Sequence, residues 1–299
     1  MRALLTGATG FLGSHLWPLL EREHELLTVA RKGIERELHV QSDLEDSATL
    51  ERLSRFAPEI VIHLAGAGDA DLCQREPERA RRGNVELTGR LADAVSGCRR
   101  FVLTSTDLVF DGTRGGCDER SEPSPVSVYG ATKLEGERVV RAALGERATV
   151  VRLALLYGAR CSATSRASFA ETLVRTVASG AAPTLFTDEF RSPLYVEDAA
   201  LGLARLAALE GSPGLLHFGG PERWSRYELG LSALEVFGLP ASRVRPGRRA
   251  DARLLAPRPR DVSLDSSLAL SLGLRARGAR EGLTAMKHAM ERAGFMVGF

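Results

Sequence analysis

The stretch that most limits what this chain can become is LLTGATGFLGSHL, residues 4–16, where an apolar run passes through three glycines into an apolar amphipathic segment. Gly7, Gly10 and Gly13 stand in the spacing GxxGxxG between a strand pattern at 2–6 and a helix pattern at 11–22. A glycine at the first position permits a tight strand-to-helix turn. One at the second lets backbone approach a pyrophosphate, and one at the third lets the helix pack against the strand. Exposed N–H groups at a helix start attract phosphate oxygens. Thr9, Phe11 and Leu12 of the same turn are expected to share in holding a dinucleotide with the three glycines.

The rest of the chain repeats that strand-to-helix rhythm. ELLTVA (25–30), EIVIHLA (59–65), RFVLTS (100–105) and ATVVRLA (148–154) read as buried strands. Residues 46–56, 77–96 and 127–144 have helical spacing and length between them. Such alternation predicts an α/β fold, a doubly wound parallel sheet of the Rossmann kind. After residue 160 the rhythm loosens. GAAPTLFTDEFRSPL (180–194) reads as a loop with short strands, LLHFGG (215–220) as a strand, and about 197–210, 225–237 and 281–293 as helices. This predicts a dinucleotide-binding domain over 1–160. Over 161–299 it predicts a smaller, mainly substrate-binding region with some segments returning to the main sheet. The cleft between them should hold the ligands.

Charge and cysteine usage exclude several roles. With 40 Lys and Arg against 38 Asp and Glu, the formal net charge is +2, which gives no electrostatic case for nucleic acid or a membrane as partner. Cys73, Cys98, Cys117 and Cys161 show no CxxC and no metal-ligand spacing, as expected of reduced thiols, and no metal is expected. The strand pattern begins at residue 2, which leaves no room for a leader, and no apolar run approaches a membrane span. The expectation is a cytoplasmic protein with a small-molecule substrate.

The end of the second strand bears on which dinucleotide is taken. An acid there would accept from a ribose hydroxyl, but the chain reads TVARKG, with Arg31 and Lys32 in that place. A guanidinium suits a 2′-phosphate, so NADPH is expected over NADH, with NADH as the alternative. Asp43, with Leu44 beside it, follows the short strand ELHV. Its carboxylate suits the adenine amino group or, equally, the cap of the helix starting near 46.

Chemistry enters with VLTSTDLVFDG (102–112) and SVYGATKLEGE (127–137). Tyr129 and Lys133 are four residues apart and share one helical face. An ammonium beside a phenol favours the phenolate, so Lys133 is expected to lower the pKa of Tyr129 toward neutrality. Such a tyrosine can give a proton to a ketone oxygen as hydride arrives. The preceding strand ends in hydroxyls at Thr104, Ser105 and Thr106, and a threonine there can hold the same oxygen. Asp107 beside Thr106 is counted with the substrate-side residues, although turn chemistry also accounts for an acid there. His63 reads as a satisfied core histidine.

These motifs, with VIHLAGAG, GNV (83–85), VVRLALLYG and RSPLYVEDAA, resemble the extended branch of the short-chain dehydrogenase/reductases over nearly the whole chain. STDLVFDG and YGATKLEGE are most similar to the dTDP-4-dehydrorhamnose reductase family. The resemblance implies that Thr106, Tyr129 and Lys133 are the catalytic group and that Leu64, Ala65 and Gly66 pass beneath the cofactor. Arg191 would contact a substrate diphosphate, and Arg258 would line the substrate side. It also implies a homodimer. The pattern departs at Leu155, where that family has a tryptophan, and at Cys117, where it has a tyrosine. The resemblance thus implies an NADPH-dependent reductase of a 4-keto-6-deoxy sugar nucleotide or a related ketone. Two alternatives come from relatives: an epimerase or dehydratase with tightly held NAD, and a non-catalytic regulatory subunit of the kind that serves methionine adenosyltransferase.

Overall fold

The computed structural model describes residues 1–161 and 165–295. Its first half runs β1 (Arg2–Thr6), α1 (Phe11–Leu20), β2 (Glu25–Ala30), β3 (His39–Gln41), α2 (Ser47–Phe56), β4 (Ile60–His63), α3 (Ala70–Arg75), α4 (Pro77–Arg81), α5 (Leu87–Ala94), β5 (Arg100–Thr106), α6 (Val128–Leu144) and β6 (Ala148–Leu153). The second half runs β7 (Leu156–Tyr157), α7 (Phe169–Ala178), β8 (Thr184–Phe186), β9 (Phe190–Arg191), β10 (Leu194–Tyr195), α8 (Val196–Ala208), β11 (Leu215–Phe218), β12 (Trp224–Ser225), α9 (Arg226–Phe237), β13 (Arg245–Gly247), α10 (Ser267–Ser271) and α11 (Ala279–Arg292).

Seven strands form one parallel sheet in the order β11-β6-β5-β4-β1-β2-β3. Side chains alternate across each strand, and both sets are apolar because helices cover both faces. Ala3, Leu5, Ile60, Ile62, Val102 and Val151 meet Leu12 and Leu16 of α1 and Leu203 and Leu206 of α8 on one face. Leu4, Val61, Phe101, Leu103 and Val150 meet Leu53 of α2, Leu91 of α5 and Val140 of α6 on the other. The result is a mostly parallel, doubly wound Rossmann-like fold. The winding reverses between β1 and β4, so a crevice opens beyond the carboxyl ends of those two strands.

Two details depart from the sequence reading. The helix expected over 77–96 is α4, a π-helical turn at Arg82–Glu86, and α5. The short helix α3, capped by Asp69 on Asp71 and Leu72 N–H, carries no periodic signal long enough to see. Beyond residue 160, β11 joins the main sheet beside β6, while β8, β9, β12 and β13 make small pairs outside it. α7, α9 and α11 enclose a separate core around Tyr157, Tyr195, Leu229 and Met286.

Candidate active site

The first turn brings three segments within touching distance. Gly7 has φ +74°, and a Cβ on it would lie 2.9 Å from the Ala65 nitrogen in the turn after β4. A Cβ on Gly13 would overlap the Gly7 carbonyl oxygen, so only glycine lets α1 start this close to β1. Gly10 is the N-cap of α1 and offers no side-chain cap bond. The first-turn amides therefore lack a side-chain acceptor, and Gly10, Phe11, Leu12 and Gly13 line a cavity of about 420 Å³. This cradle fits a dinucleotide pyrophosphate.

The opposite wall of the same cavity carries Thr106, Tyr129 and Lys133. Thr106 ends β5, and its Oγ accepts from Leu108 N–H at 3.1 Å and donates to Asp107 Oδ1 at 3.1 Å. Ser127 caps α6 through Gly130 N–H at 3.2 Å, which sets Tyr129 in the first turn and Lys133 one turn further. The Tyr129 phenol stands near enough to Thr106 for that hydroxyl to favour its ionised form. The Lys133 ammonium donates to the Thr104 carbonyl at 2.7 Å.

The electrostatics differ from the sequence expectation. Burial pushes the Tyr129 phenol up to about 12. The Thr106 hydroxyl pulls it back, and Asp107 adds to the rise. Lys133 is brought down to about 8, again mainly by burial, with Glu137 one turn below opposing the fall. The cost of enclosing a phenolate exceeds what the ammonium, anchored on Thr104, returns to it. The protein alone holds a protonated phenol.

Asn84, in the π-helical turn, fixes the loop that closes this wall. Its Oδ1 accepts from Ala67 N–H at 2.8 Å, and its Nδ2 donates to the Ala67 carbonyl at 3.2 Å and to Thr132 Oγ at 3.0 Å. The far end is charged. Asp107 pairs with Arg191 (3.5 Å), Glu189 with Arg191 and Arg226 (3.1 Å each), and Arg258 with Asp71 (3.0 Å). Leu153, Ala154, Leu155 and Leu156 supply an apolar side.

The cavity thus unites Gly7, Gly10, Phe11, Leu12, Gly13, Leu64, Gly66, Thr106, Asp107, Tyr129, Lys133, Arg191 and Arg258 from the sequence reading. Thr9, Arg31, Lys32, Asp43, Leu44 and Ala65 lie outside it. Arg31 and Lys32 are exposed at the end of β2. Asp43 turns onto Glu45 N–H at 3.0 Å, and the helix cap belongs instead to Asp46, bonded to Ala48 and Thr49 N–H. Leu44 is buried in the core, and Ala65 donates its N–H to Thr6 Oγ at 3.2 Å. The reading missed Asn84, Glu189 and Arg226. A glycine-asparagine pair inside a helix pattern was the one available hint, for Asn84. His63 is fully buried between Thr6 (2.6 Å) and Thr88 (3.1 Å), with its pKa pushed down to about 3 by burial. Among the described residues no cluster of three or more His, Cys, Asp or Glu could hold a metal, and no helix is long and apolar enough to cross a membrane.

A parallel sheet with its glycine turn at the switch point and a tyrosine and lysine one turn apart across the same cavity defines an extended short-chain dehydrogenase/reductase. Within that class, the model of the RmlD substrate binding domain matches residues 1–292, and the chain belongs to that family. It is 32% identical over 294 residues to methionine adenosyltransferase 2 subunit beta of Xenopus tropicalis, covering 94% of this chain and 87% of the relative. It is 33% identical over 275 residues to a protein of Haloferax volcanii named "Probable low-salt glycan biosynthesis reductase Agl14", covering 89% and 90%. Among solved structures, dTDP-4-dehydrorhamnose reductase of Bacillus anthracis in complex with NADP superposes with TM-score 0.83 at 25% identity over 96% of this chain and 99% of that one. MoeE5 in complex with UDP-glucose and NAD superposes with TM-score 0.84 at 27% identity over 99% and 100%.

Proposed function

We propose that the protein is an NADPH-dependent reductase of a carbonyl on a nucleotide sugar, a 4-keto-6-deoxy hexose being the substrate of choice. The observation that carries this reading is the sharing of one cavity by the bare α1 amides and the Thr106, Tyr129 and Lys133 side chains. The α1 amides and glycine turn would hold the pyrophosphate and the loop at Leu64–Gly66 would support the dinucleotide, whose nicotinamide would supply hydride when bound. Arg31 and Lys32 favour a 2′-phosphate. Thr106 orients the carbonyl oxygen, and for this its single hydrogen turns from Asp107 to the substrate. Tyr129 delivers the proton. Lys133 holds its place on Thr104 and reaches the ribose side. Arg191 and Arg258 take the diphosphate, so residues 161–299 mainly supply the substrate side of a site whose dinucleotide half is residues 1–160.

The similarity to methionine adenosyltransferase beta subunits favours one second reading, a nucleotide-binding regulatory subunit without turnover. One variant separates the two. Tyr129→Phe should cut turnover of a 4-keto sugar nucleotide by about 10²–10⁴-fold, followed as NADPH absorbance, while leaving NADPH affinity unchanged. No NADPH oxidation by the native protein across a panel of 4-keto sugar nucleotides and simple ketones would remove the reductase reading.

A further inference from the structure

Arg191 and Arg258 both line the charged end of the cavity, but their donors are not equally available. The Arg191 side chain is 4% exposed and engaged at every nitrogen. Its Nη1 donates to the Phe190 carbonyl at 2.9 Å, Nη2 donates to Glu189 Oε1 at 3.1 Å, and Nε faces Asp107 Oδ2 at 3.5 Å. The Arg258 side chain is 23% exposed and uses one nitrogen, Nη2, which donates to Asp71 Oδ1 at 3.0 Å and Oδ2 at 3.1 Å. Among the described residues its Nε and Nη1 have no hydrogen-bond partner, and neither is enclosed, so both donors stand open to solvent.

Asp71 comes from the dinucleotide half. It lies in the first turn of α3, just after the Asp69 cap, and the Gly66–Gly68 loop that leads to it lines the same cavity. Its Oδ1 also accepts from Ala256 N–H at 3.1 Å. One carboxylate therefore holds both backbone and side chain of residues 256–258, which arrive from the substrate half. Arg249 braces the same segment from behind. Its N–H donates to Asp188 Oδ1 at 3.0 Å, its Nε to the Asp188 carbonyl at 2.9 Å, and its Nη1 to the Arg258 carbonyl.

An unheld arginine must give up many rotamers when it binds a ligand, and that ordering weakens binding. A carboxylate that already grips one nitrogen removes much of this cost, and the planar guanidinium then holds its remaining donors in fixed directions. By charge alone Asp71 would oppose a diphosphate brought up to Arg258, since two anions would share one cation. Positioning and repulsion thus give opposite signs when the carboxylate is removed.

We propose that Asp71 is a positioning residue for the substrate diphosphate: it fixes Arg258 and the segment behind it, so that the open Nε and Nη1 donors meet the phosphates already in place. This rests on the reading of the ligand as a nucleotide sugar, but it is tested by binding as well as by turnover. Protein loaded with NADP⁺ is titrated by calorimetry with dTDP and with UDP, and a 4-keto sugar nucleotide is assayed with NADPH. Asp71→Ala weakens the nucleoside diphosphate about tenfold and raises KM for the nucleotide sugar by a like factor, with kcat and NADPH affinity unchanged. Asp71→Glu recovers part of the loss. In an Arg258→Ala background Asp71→Ala has no further effect, because it acts through the guanidinium. Diphosphate affinity equal or tighter in Asp71→Ala, a full further loss in the Arg258→Ala background, or binding of neither nucleoside diphosphate by the native protein overturns the proposal. A joint fall of kcat and NADPH affinity in Asp71→Ala marks a merely structural role and overturns it as well. If the diphosphate effects stand while no 4-keto sugar nucleotide is reduced, the reductase reading falls and the positioning role remains.

Discussion

Behind the Tyr129 and Lys133 wall lies a buried ion pair whose removal has two separable consequences. Glu137, one helical turn beyond Lys133, binds the Arg152 guanidinium through Nη2 at 2.8 Å and Nε at 3.1 Å and also accepts from Ser105 Oγ. Both side chains are 5% exposed or less. Arg152 reaches His217 Nε2 at 3.4 Å, and His217 Nδ1 lies 2.9 Å from the Cys117 carbonyl. Glu137→Gln keeps the size and an acceptor but strands a buried cation, a loss of about 3–5 kcal/mol. Unfolding entropy near the midpoint is about 2.1 cal/mol/K per residue, so 299 residues give about 0.6 kcal/mol/K, and Tm falls by about 5–8 °C. Replacing both partners, Glu137→Met with Arg152→Met, removes the stranded charge and should restore more than half of that fall. The lysine responds differently. Glu137 counteracts the burial that brings Lys133 to about 8, so either variant sends the lysine lower still. The limb of the pH–rate profile that reports Lys133 then moves to lower pH in both the single and the double variant, while Tm recovers only in the double. Scanning calorimetry and steady-state profiles between pH 5 and 10 read the two effects. A single variant with unchanged Tm, or a double variant whose pH limb returns with its Tm, would show that the pair neither compensates a buried charge nor acts on Lys133 as the geometry requires.

Gly13→Ala places a methyl against the Gly7 carbonyl and must push α1 away from β1. NADPH affinity measured by fluorescence should fall at least tenfold, and native affinity in that variant would refute the role given to the turn. His63 gives a pH signature. Its imidazole has a folded pKa of about 3 against 6.5 when free. Above pH 6.5 it is neutral in both states and costs nothing. As pH falls from 6.5 toward 3 the unfolded chain takes up a proton that the folded chain refuses, and stability drops by about 1.4 kcal/mol per pH unit. In urea unfolding at pH 7, 6 and 5, His63→Gln should lack that share of the slope. His15, His39 and His217, whose pKa values burial also lowers, retain theirs. Parallel stability curves for the two proteins would show that His63 is not held neutral.

What could be seen in the chain and what could not divides along a physical line. Strands β1, β4, β5 and β6 announce themselves because a strand buried on both faces carries a mostly apolar run, and the glycine turn does so because no other residue fits it. Tyr129 and Lys133 are visible because helical spacing is local. Arg226 is not. Its place in the cavity depends on β9, β12 and the start of α9 converging on Asp107, and from its neighbours it reads as an ordinary first-turn residue after a serine cap. Asn84 hides for a related reason, since the π-helical turn that aims it at Ala67 leaves the apolar spacing of 77–96 intact. The charge state of Tyr129 is the deepest case: i, i+4 spacing shows the ammonium but nothing of the enclosure around the phenol.

That last point bears on the direction of the chemistry. An epimerase must remove a proton and return it within one turnover, which calls for a phenol poised near neutrality. A phenol at about 12 arrives at the substrate with its proton on, beside Thr106, the residue proposed to hold the carbonyl oxygen. It is suited to give that proton to an alkoxide forming as hydride adds, because the alkoxide is the stronger base. Taking a proton from an alcohol would first require a positive charge to be brought beside the phenol, and Lys133, tied to the Thr104 carbonyl and itself half discharged near pH 8, supplies little of it. The enclosure that frustrates the simple lysine-tuning picture therefore leaves the phenol carrying the proton that a reduction consumes. It also makes a measured Tyr129 pKa near 7 in the protein alone the observation that would return the epimerase to contention.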